Sequence, residues 1–370
     1  MNISALDENG KPVDWWFIYK VPKLTTDSKN DSTSGYEYIY YDSKIGKVVK
    51  SPFQLNIDNG ALDRTLDTVF NKPAATTGWI LYNDEKPAGA RGKDASSYGH
   101  TKGVIAFDTA TKTAFWLLHS WPKYAQPGLK TMPTPEYGQT FMCISISIAT
   151  ASALAKQMDR DQEPQVFLPR LPESLSKTDP LYILTEQLDT AQPSDSSALD
   201  YKSRGGLKFK VISKNKKWGK DFWNELVGPT LKVNMDVETW IRGKIPAVLD
   251  SDGIHKTFDV KYIDLSGLDL GVPWAWPETH DHAKWGISVE SNWICVGDIN
   301  RMVSQEKRGG GTIAFQCKEL WKALSKTDLL VAPPGHSRTE ARNLIKATQG
   351  KTPKAAPAKK AAPKKKKAAK

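Results

Sequence analysis

The sequence predicts a mixed α/β fold of two pseudo-symmetric halves, each with a central β-sheet flanked by helices. Two observations carry that prediction. The triplet His100-Thr101-Lys102 returns 182 positions later as His282-Ala283-Lys284. Each copy opens onto an apolar run, a polar turn and a second apolar run that ends in polar residues, the signature of a strand, a turn and a return strand. A diverged duplication that builds one site from two halves accounts for both.

Each element has its own reason. Val13 to Pro22 is aromatic and β-branched and is stopped by Pro22, which predicts a buried strand. Residues 24 to 50 are polar and tyrosine-rich, consistent with a loop and a hairpin. Ala61 to Phe70 has apolar spacing suited to a short helix, and Gly78 to Tyr82 reads as a strand. A loop rich in Gly, Lys and Asp leads from there to His100, where strand mouths assemble sites. In the first half, Gly103 to Phe107 and Ala114 to Leu118 flank the turn over Asp108 to Thr113. In the second, Trp285 to Val289 and Trp293 to Val296 flank Glu290 to Asn292.

Ser145 to Gln157 reads as a helix, and Leu181 to Leu188 as another short element. Asp189 to Gly206 is rich in Ser, Asp and Gly and reads as a connector between the halves. Trp218 to Val233 is helical in part, and Glu238 to Leu249 resembles a strand. Gln305 to Thr312 is a basic, glycine-rich stretch that is either a loop offering backbone N–H groups to an anion or an ordinary turn. The expected boundaries are 1–195 for the N-terminal half, 196–345 for the C-terminal half and 346–370 for a tail.

Composition limits the function. The 39% apolar fraction and 13 Trp support a large core. No apolar run reaches the roughly 18 to 20 residues of a membrane span, and the first residues lack the basic start and apolar middle of a signal peptide. The expectation is a soluble chain, cytoplasmic or exported by a non-classical route. Cys143, Cys295 and Cys317 are too few and too scattered for a disulfide framework or a Cys-x-x-Cys metal site. Residues 346 to 370 hold ten Lys and no acid, so nearly all of the formal +11 belongs to the tail. Its Lys, Ala and Pro cannot bury enough apolar surface to offset the entropy of ordering. It reads as either a sequence-blind, salt-sensitive polyanion tether or a solubilising extension.

The paired motifs suggest a chemistry. In a strand, side chains two apart share a face, so each His-x-Lys sets an imidazole beside an ammonium. Two ammonium groups neutralise the charge that grows on a phosphodiester in its transition state. One neutral imidazole attacks phosphorus while the other, protonated, gives its proton to the departing oxygen. The product is a phosphohistidine, released by water with the second histidine as base. Two nearby imidazoles titrate as a coupled pair, and the productive state should favour mildly acidic pH. No metal or cofactor is called for. His280 and His282 with Asp281 have the His-x-His spacing of some metal sites, but no further ligand matches.

Six stretches, in order, closely resemble the deoxyribonuclease II family. They are Asp14 to Phe17 with Tyr19 to Pro22, Gly99 to Gly103, Phe115 to Pro122, Tyr137 to Thr140, Asp281 to Trp285, and Cys295 to Arg301 with Gly309 to Thr312. The resemblance runs from about residue 10 to residue 321. It implies a metal-independent acid endonuclease that leaves 3′-phosphates, on a phospholipase D-like fold whose halves face a DNA channel. Carried over, His100 and Lys102 form one half-site and His282 and Lys284 the other, with His100 favoured as nucleophile and His282 as general acid. Lys20, His119, Asn300 and Arg301 are substrate-binding candidates. For Lys20 the competing reading is a snorkelling strand-end lysine, and for His119 a structural hydrogen-bonding role.

The chain departs from the wider superfamily pattern. An Asp expected five places after each Lys is Phe107 or Val289 here, and Asp108 and Glu290 fall one place later. A shift of one reverses the face of a strand. Gly297-Asp298-Ile299-Asn300 is close to the superfamily's Gly-Ser-x-Asn, which nominates Asn300. The secretory, disulfide-bonded setting of the animal enzymes does not transfer. The expected partner is DNA, double-stranded and read with little sequence specificity. Both a single chain and a homodimer fit. A phosphodiesterase acting on lipid or small diesters and a non-catalytic DNA-binding protein are the alternatives.

Overall fold

Two β-sheets packed face to face bring the two halves together in the computed structural model, which describes residues 2–25, 32–55, 59–87, 97–128, 136–186, 193–244, 246, 255–326 and 330–332. These all belong to one unit, Met1–Gly335. The Lys-rich tail lies outside the described residues, as do 88–96 of the loop before His100.

The first sheet is built from β1 (Trp15–Lys20), β2 (Tyr38–Asp42), β3 (Val49–Lys50), β4 (Thr77–Asn83), β5 (Lys102–Asp108), β6 (Thr113–His119) and β7 (Gln139–Ser147), with helix α1 (Ala61–Phe70) between β3 and β4. Helices α2 (Ile148–Gln157) and α3 (Pro180–Glu186) follow. The second half contributes β8 (Ser196–Lys202), β9 (Lys208–Lys214), α4 (Gly228–Leu231), β10 (Met235–Thr239), β11 (Thr257–Asp264), β12 (Ala275–Pro277), β13 (Lys284–Ser288), β14 (Trp293–Gly297), β15 (Gly310–Gln316), α5 (Lys318–Lys326) and β16 (Leu330–Ala332).

Strand order repeats between the two sheets. The first sheet runs β3-β2-β1-β7-β6-β5-β4, and the second β12-β11-β10-β13-β14-β15-β9-β8 with β16 beside β11. The block β1-β7-β6-β5-β4 and the block β9-β15-β14-β13-β10 have the same order, and every neighbouring pair within them is antiparallel. The two His-x-Lys strands, β5 and β13, occupy equivalent places, each between a hairpin partner and an edge-ward strand.

Burial on both faces explains why the strands read as unbroken apolar runs rather than alternating ones. Phe17, Ile105, Trp116 and Ile144 of the first sheet meet Trp285, Ile294, Ile313 and Phe315 of the second in a shared central layer. The opposite face of the first sheet, through Trp16, Val104, Phe115 and Leu117, is covered by Leu62, Leu66 and Val69 of α1. The outer face of the second, through Ile212, Met235, Cys295 and Ala314, is covered by Phe222, Trp223, Val227 and Leu231.

Several expectations need correction. The stretch read as a connector holds β8, a half-exposed edge strand. Its polar face explains the misreading, because an edge strand buries little. The helix expected from Ser145 starts at Ile148, since Ser145 to Ser147 extend β7 and Ser147 caps the helix by accepting from the Thr150 amide. Between Trp218 and Val233 only a wide π-type turn over Trp223–Val227 and the four residues of α4 are helical. The strand expected to run to Leu249 ends at Thr239, and 247–249 lie outside the described residues. Gly310, Gly311 and Thr312, read as part of a loop, pair with β9 and β14 as the start of β15. No helix among the described residues is long and apolar enough to cross a membrane.

Ile287→Ala in the central layer should cost about 2–5 kcal/mol by urea or guanidinium denaturation, as deletion of buried methylenes does. Leu199→Ala on exposed β8 should stay within about 0.5 kcal/mol. Equal costs would contradict the layer assignment.

Candidate active site

Register sets the first half-site. β4 pairs with β5 so that Asn83 faces Lys102, which leaves Asp84, the next residue, at the strand mouth. Lys102 Nζ donates to Asp84 Oδ1. Arg308 Nη2 reaches Asp84 Oδ2 at 3.0 Å, and the same guanidinium holds the carbonyls of Tyr98 and Gly99 at 2.9 and 3.2 Å. Burial pushes the Asp84 carboxyl up, but Lys102, His100 and Arg308 outweigh it and hold it well below the usual carboxylate range.

His100 is only 13% exposed at its side chain, and its Nε2 lies 3.8 Å from Asp84 Oδ2. Its Nδ1 stands 2.5 Å from the Asp298 carbonyl oxygen. A carbonyl only accepts, so Nδ1 carries the proton and Nε2 of the neutral ring keeps a lone pair. Burial, then Lys102, push the imidazole well below its ordinary value despite Asp84.

The second half-site is made differently. Thr239 of β10 faces Lys284 of β13, so Trp240 is the residue at the strand mouth. The His282 ring stacks on Tyr137 at 3.9 Å and 10° and meets Trp240 at 4.1 Å and 49°. Its Nε2 is buried without a hydrogen-bond partner. Burial, then Lys284, push its pKa down to about 2. Lys284 Nζ donates to the His282 carbonyl at 2.5 Å, and burial followed by Lys102 lowers it to about 7. Just before it, Asp281 accepts from Tyr19 Oη, from Trp276 Nε1 at 2.7 Å and from the Ala283 amide at 2.7 Å. That carboxylate fixes the entry of the motif into β13.

The halves are held to one another at the site. The His100 amide donates to the Gly309 carbonyl at 2.8 Å, and the His282 amide to the Gly138 carbonyl at 2.9 Å. Lys102 and Lys284 each act on both imidazoles, and Lys102 acts on Lys284, so the structure brings the four residues together.

The other candidates sit around it. His119 ends β6 beside Lys102, buried against Phe141 and Tyr124, and burial followed by Lys102 lowers its pKa to about 3. Lys20 ends β1, where its ammonium donates to the Val21 and Gly35 carbonyls at 3.0 and 2.7 Å and lies 5.0 Å above the Trp121 ring. Asn300 is buried with no hydrogen-bond partner for its Oδ1. Arg301, 1% exposed, has its Nε on Asp221 at 2.9 Å and its Nη1 on Asp259 at 2.8 Å. Its guanidinium is thus engaged by two buried carboxylates.

The acids displaced by one place are explained. Asp108 accepts from the Ala110 and Thr111 amides and from Thr76 Oγ1, closing the β5–β6 turn. Glu290 accepts from Asn234 at 2.6 Å. Neither reaches a histidine through these bonds. The glycine-rich stretch works through a cation of the protein itself: the carbonyls of Gln305, Glu306 and Arg308 surround Lys214 Nζ at 3.2, 2.9 and 2.5 Å. Asp84, Arg308, Tyr137 and Trp240 were not singled out individually in the sequence. The only local signal for Asp84 is its place at the end of a strand leading into the His100 loop. No group of three or more His, Cys, Asp or Glu among the described residues is placed to hold a metal ion.

Fold and geometry together describe a two-sheet α/β protein that brings two His-x-Lys motifs, one from each sheet, together. The deoxyribonuclease II family profile matches residues 4–332. A putative deoxyribonuclease-2 of Burkholderia thailandensis is 63% identical over 94% of this chain and 99% of its own length. Deoxyribonuclease-2-alpha of Rattus norvegicus is 32% identical over 87% and 91%. The chain belongs to the deoxyribonuclease II family and is a nuclease of that family. A yeast tyrosyl-DNA phosphodiesterase structure aligns over 59% of this chain and 67% of its own at 8% identity, with a TM-score of 0.30, too low to support an argument.

Arg301→Met should cost about 3–5 kcal/mol of stability, because it leaves Asp221 and Asp259 buried without their cation. At a temperature where the variant is folded, its KM for DNA should stay within about 2-fold of wild type. A large KM change with unchanged stability would move Arg301 from the core to the substrate.

Proposed function

We propose that the protein is an endonuclease that hydrolyses DNA without a metal, through a phosphohistidine, and leaves 3′-phosphate ends. The convergence of two imidazoles and two ammonium groups on one centre carries this reading. Lys102 and Lys284 would receive the non-bridging oxygens of a phosphodiester and stabilise the charge that develops there. His100 Nε2 attacks phosphorus, the bond from phosphorus to the 5′ oxygen breaks, and His282 gives its proton to that oxygen. Water then attacks phosphorus and passes a proton to neutral His282. The nitrogen–phosphorus bond breaks, and its electron pair returns to His100 Nε2.

The substrate-binding candidates in this scheme are Lys20, His119, which is buried near Lys102, and Asn300, whose Oδ1 is buried without a hydrogen-bond partner. DNA is the proposed partner, with double strands accepted and little sequence readout. A centre built within one chain does not require a homodimer.

The ionisations give a direction in pH. Lys284, lowered to about 7, loses its charge as pH rises through that value and with it the attraction for phosphate. His282, lowered to about 2, is protonated more often as pH falls, and a phosphodiester anion beside it would raise that value. Both effects favour acid. Nicking of supercoiled plasmid in excess EDTA should therefore rise by at least about 10-fold from pH 8 to pH 5. His100→Ala and His282→Ala should each lose at least about 1000-fold. Cleavage abolished by EDTA, or indifferent to pH, would overturn the proposal.

A further inference from the structure

The register of the two sheets equates residues that the sequence does not. Asp84 and Trp240 are equivalent, each following the strand residue that faces the His-x-Lys lysine. Gly309 and Gly138 are equivalent, each just before β15 or β7 and each accepting from the amide of a site histidine. The residues before them, Arg308 and Tyr137, are therefore equivalent too. Around each histidine the same two positions are filled, one from its own half and one from the other. At His100 they hold a carboxylate and a guanidinium, 3.0 Å apart. At His282 they hold an indole and a phenol that enclose the ring.

Cations act on both rings, and at His100 Lys102 outweighs Asp84, but the register position that holds the Asp84 carboxylate at His100 holds the uncharged Trp240 at His282. An imidazole that bonds to phosphorus through Nε2 gains positive charge, and at His100 the Asp84 carboxylate lies 3.8 Å from that nitrogen to receive it. Arg308 fixes the carboxylate in that place. A proton donor loses positive charge as it acts. The charges felt most by the His282 ring are those of Lys284, Lys102, Arg242 and Lys20, all cationic, while Tyr137 and Trp240 hold its plane. Loss of a proton relieves repulsion there.

We propose that Asp84 with Arg308, and Trp240 with Tyr137, are the positioning residues that break the symmetry of the duplicated site, assigning the covalent role to His100 and the proton-donor role to His282. This rests on the phosphohistidine reading above. In the covalent step the Nε2–phosphorus bond forms, the bond from phosphorus to the 5′ oxygen breaks with its electron pair going to oxygen, and the His282 proton goes to the same oxygen.

The test uses the full chain and a DNA oligonucleotide radiolabelled at one internal phosphodiester, quenched on the millisecond scale into alkali, where phosphohistidine survives, and mapped by peptide. Label should lie on the His100 peptide in the wild type. The near-isosteric Asp84→Asn should slow its formation by at least about 10-fold. Tyr137→Arg combined with Trp240→Asp should move part of the label to the His282 peptide, a readout that a merely structural role would not move. If that double variant fails to fold by circular dichroism, Asp84→Asn decides. Wild-type label on His282, or an unchanged rate in folded Asp84→Asn, would overturn the inference while leaving the phosphohistidine reading intact. Cleavage with no label on either histidine would overturn that reading and the inference together.

Discussion

Two backbone hydrogen bonds tie the site to the architecture: the His100 amide to the Gly309 carbonyl and the His282 amide to the Gly138 carbonyl. Each runs from one half to the other, so neither histidine is held by its own sheet alone. The close approach this requires explains the glycines. A Cβ on Gly99 would fall 1.8 Å from the Gln162 carbonyl oxygen, one on Gly309 would fall 2.6 Å from the same atom, and one on Gly138 would fall 2.6 Å from Asp281 Oδ1. The apolar layer between the sheets supplies the adhesion, and these contacts fix where each histidine backbone sits relative to the other half. Groups that act together depend on such fixing, because orientation within fractions of an ångström decides how well they do so.

Gathering so many cations at one place is electrostatically costly, and the structure shows where the cost is carried. Lys20 and Lys214 occupy equivalent register positions, opposite Gln139 and Gly310, and both direct their ammonium groups at loop carbonyls. Burial pushes them down to about 7 and about 8. Lys214 braces the stretch that delivers Arg308, and Lys20 ties the end of β1 to the Gly35 backbone. Lys102 is compensated by Asp84, whereas Lys284 has the His282 carbonyl and a depressed pKa. An incoming phosphodiester would relieve the repulsion that remains, which links affinity for an anion to the protonation of the site.

The sequence made the paired motifs and their hairpins legible because strands buried on both faces leave continuous apolar runs, and because the His-x-Lys spacing occurs in both halves. The helix Ala61–Phe70 was readable to the residue, since one face packs on a sheet and the other meets solvent. β8 was hidden by its polar edge. The supporting shell was hidden for a different reason: Arg308 lies 224 positions from Asp84, and Tyr137 reaches His282 only once the sheets have packed. Strand register relates these residues, and register is a property of the fold rather than of any local stretch. The acids near each Lys illustrate the converse, because Asp108 was conspicuous in the sequence yet serves a turn.

In the proposed reading one chain builds one complete centre from its two halves. Mixing purified His100→Ala and His282→Ala proteins tests it most directly, after co-refolding so that any shared assembly can exchange subunits, with DNA nicking as the readout. A centre contained within each chain predicts that the mixture stays as inactive as either variant. Recovery of nicking to a sizeable fraction of the wild-type rate would show that a functional centre can combine half-sites from two chains, and would contradict the account.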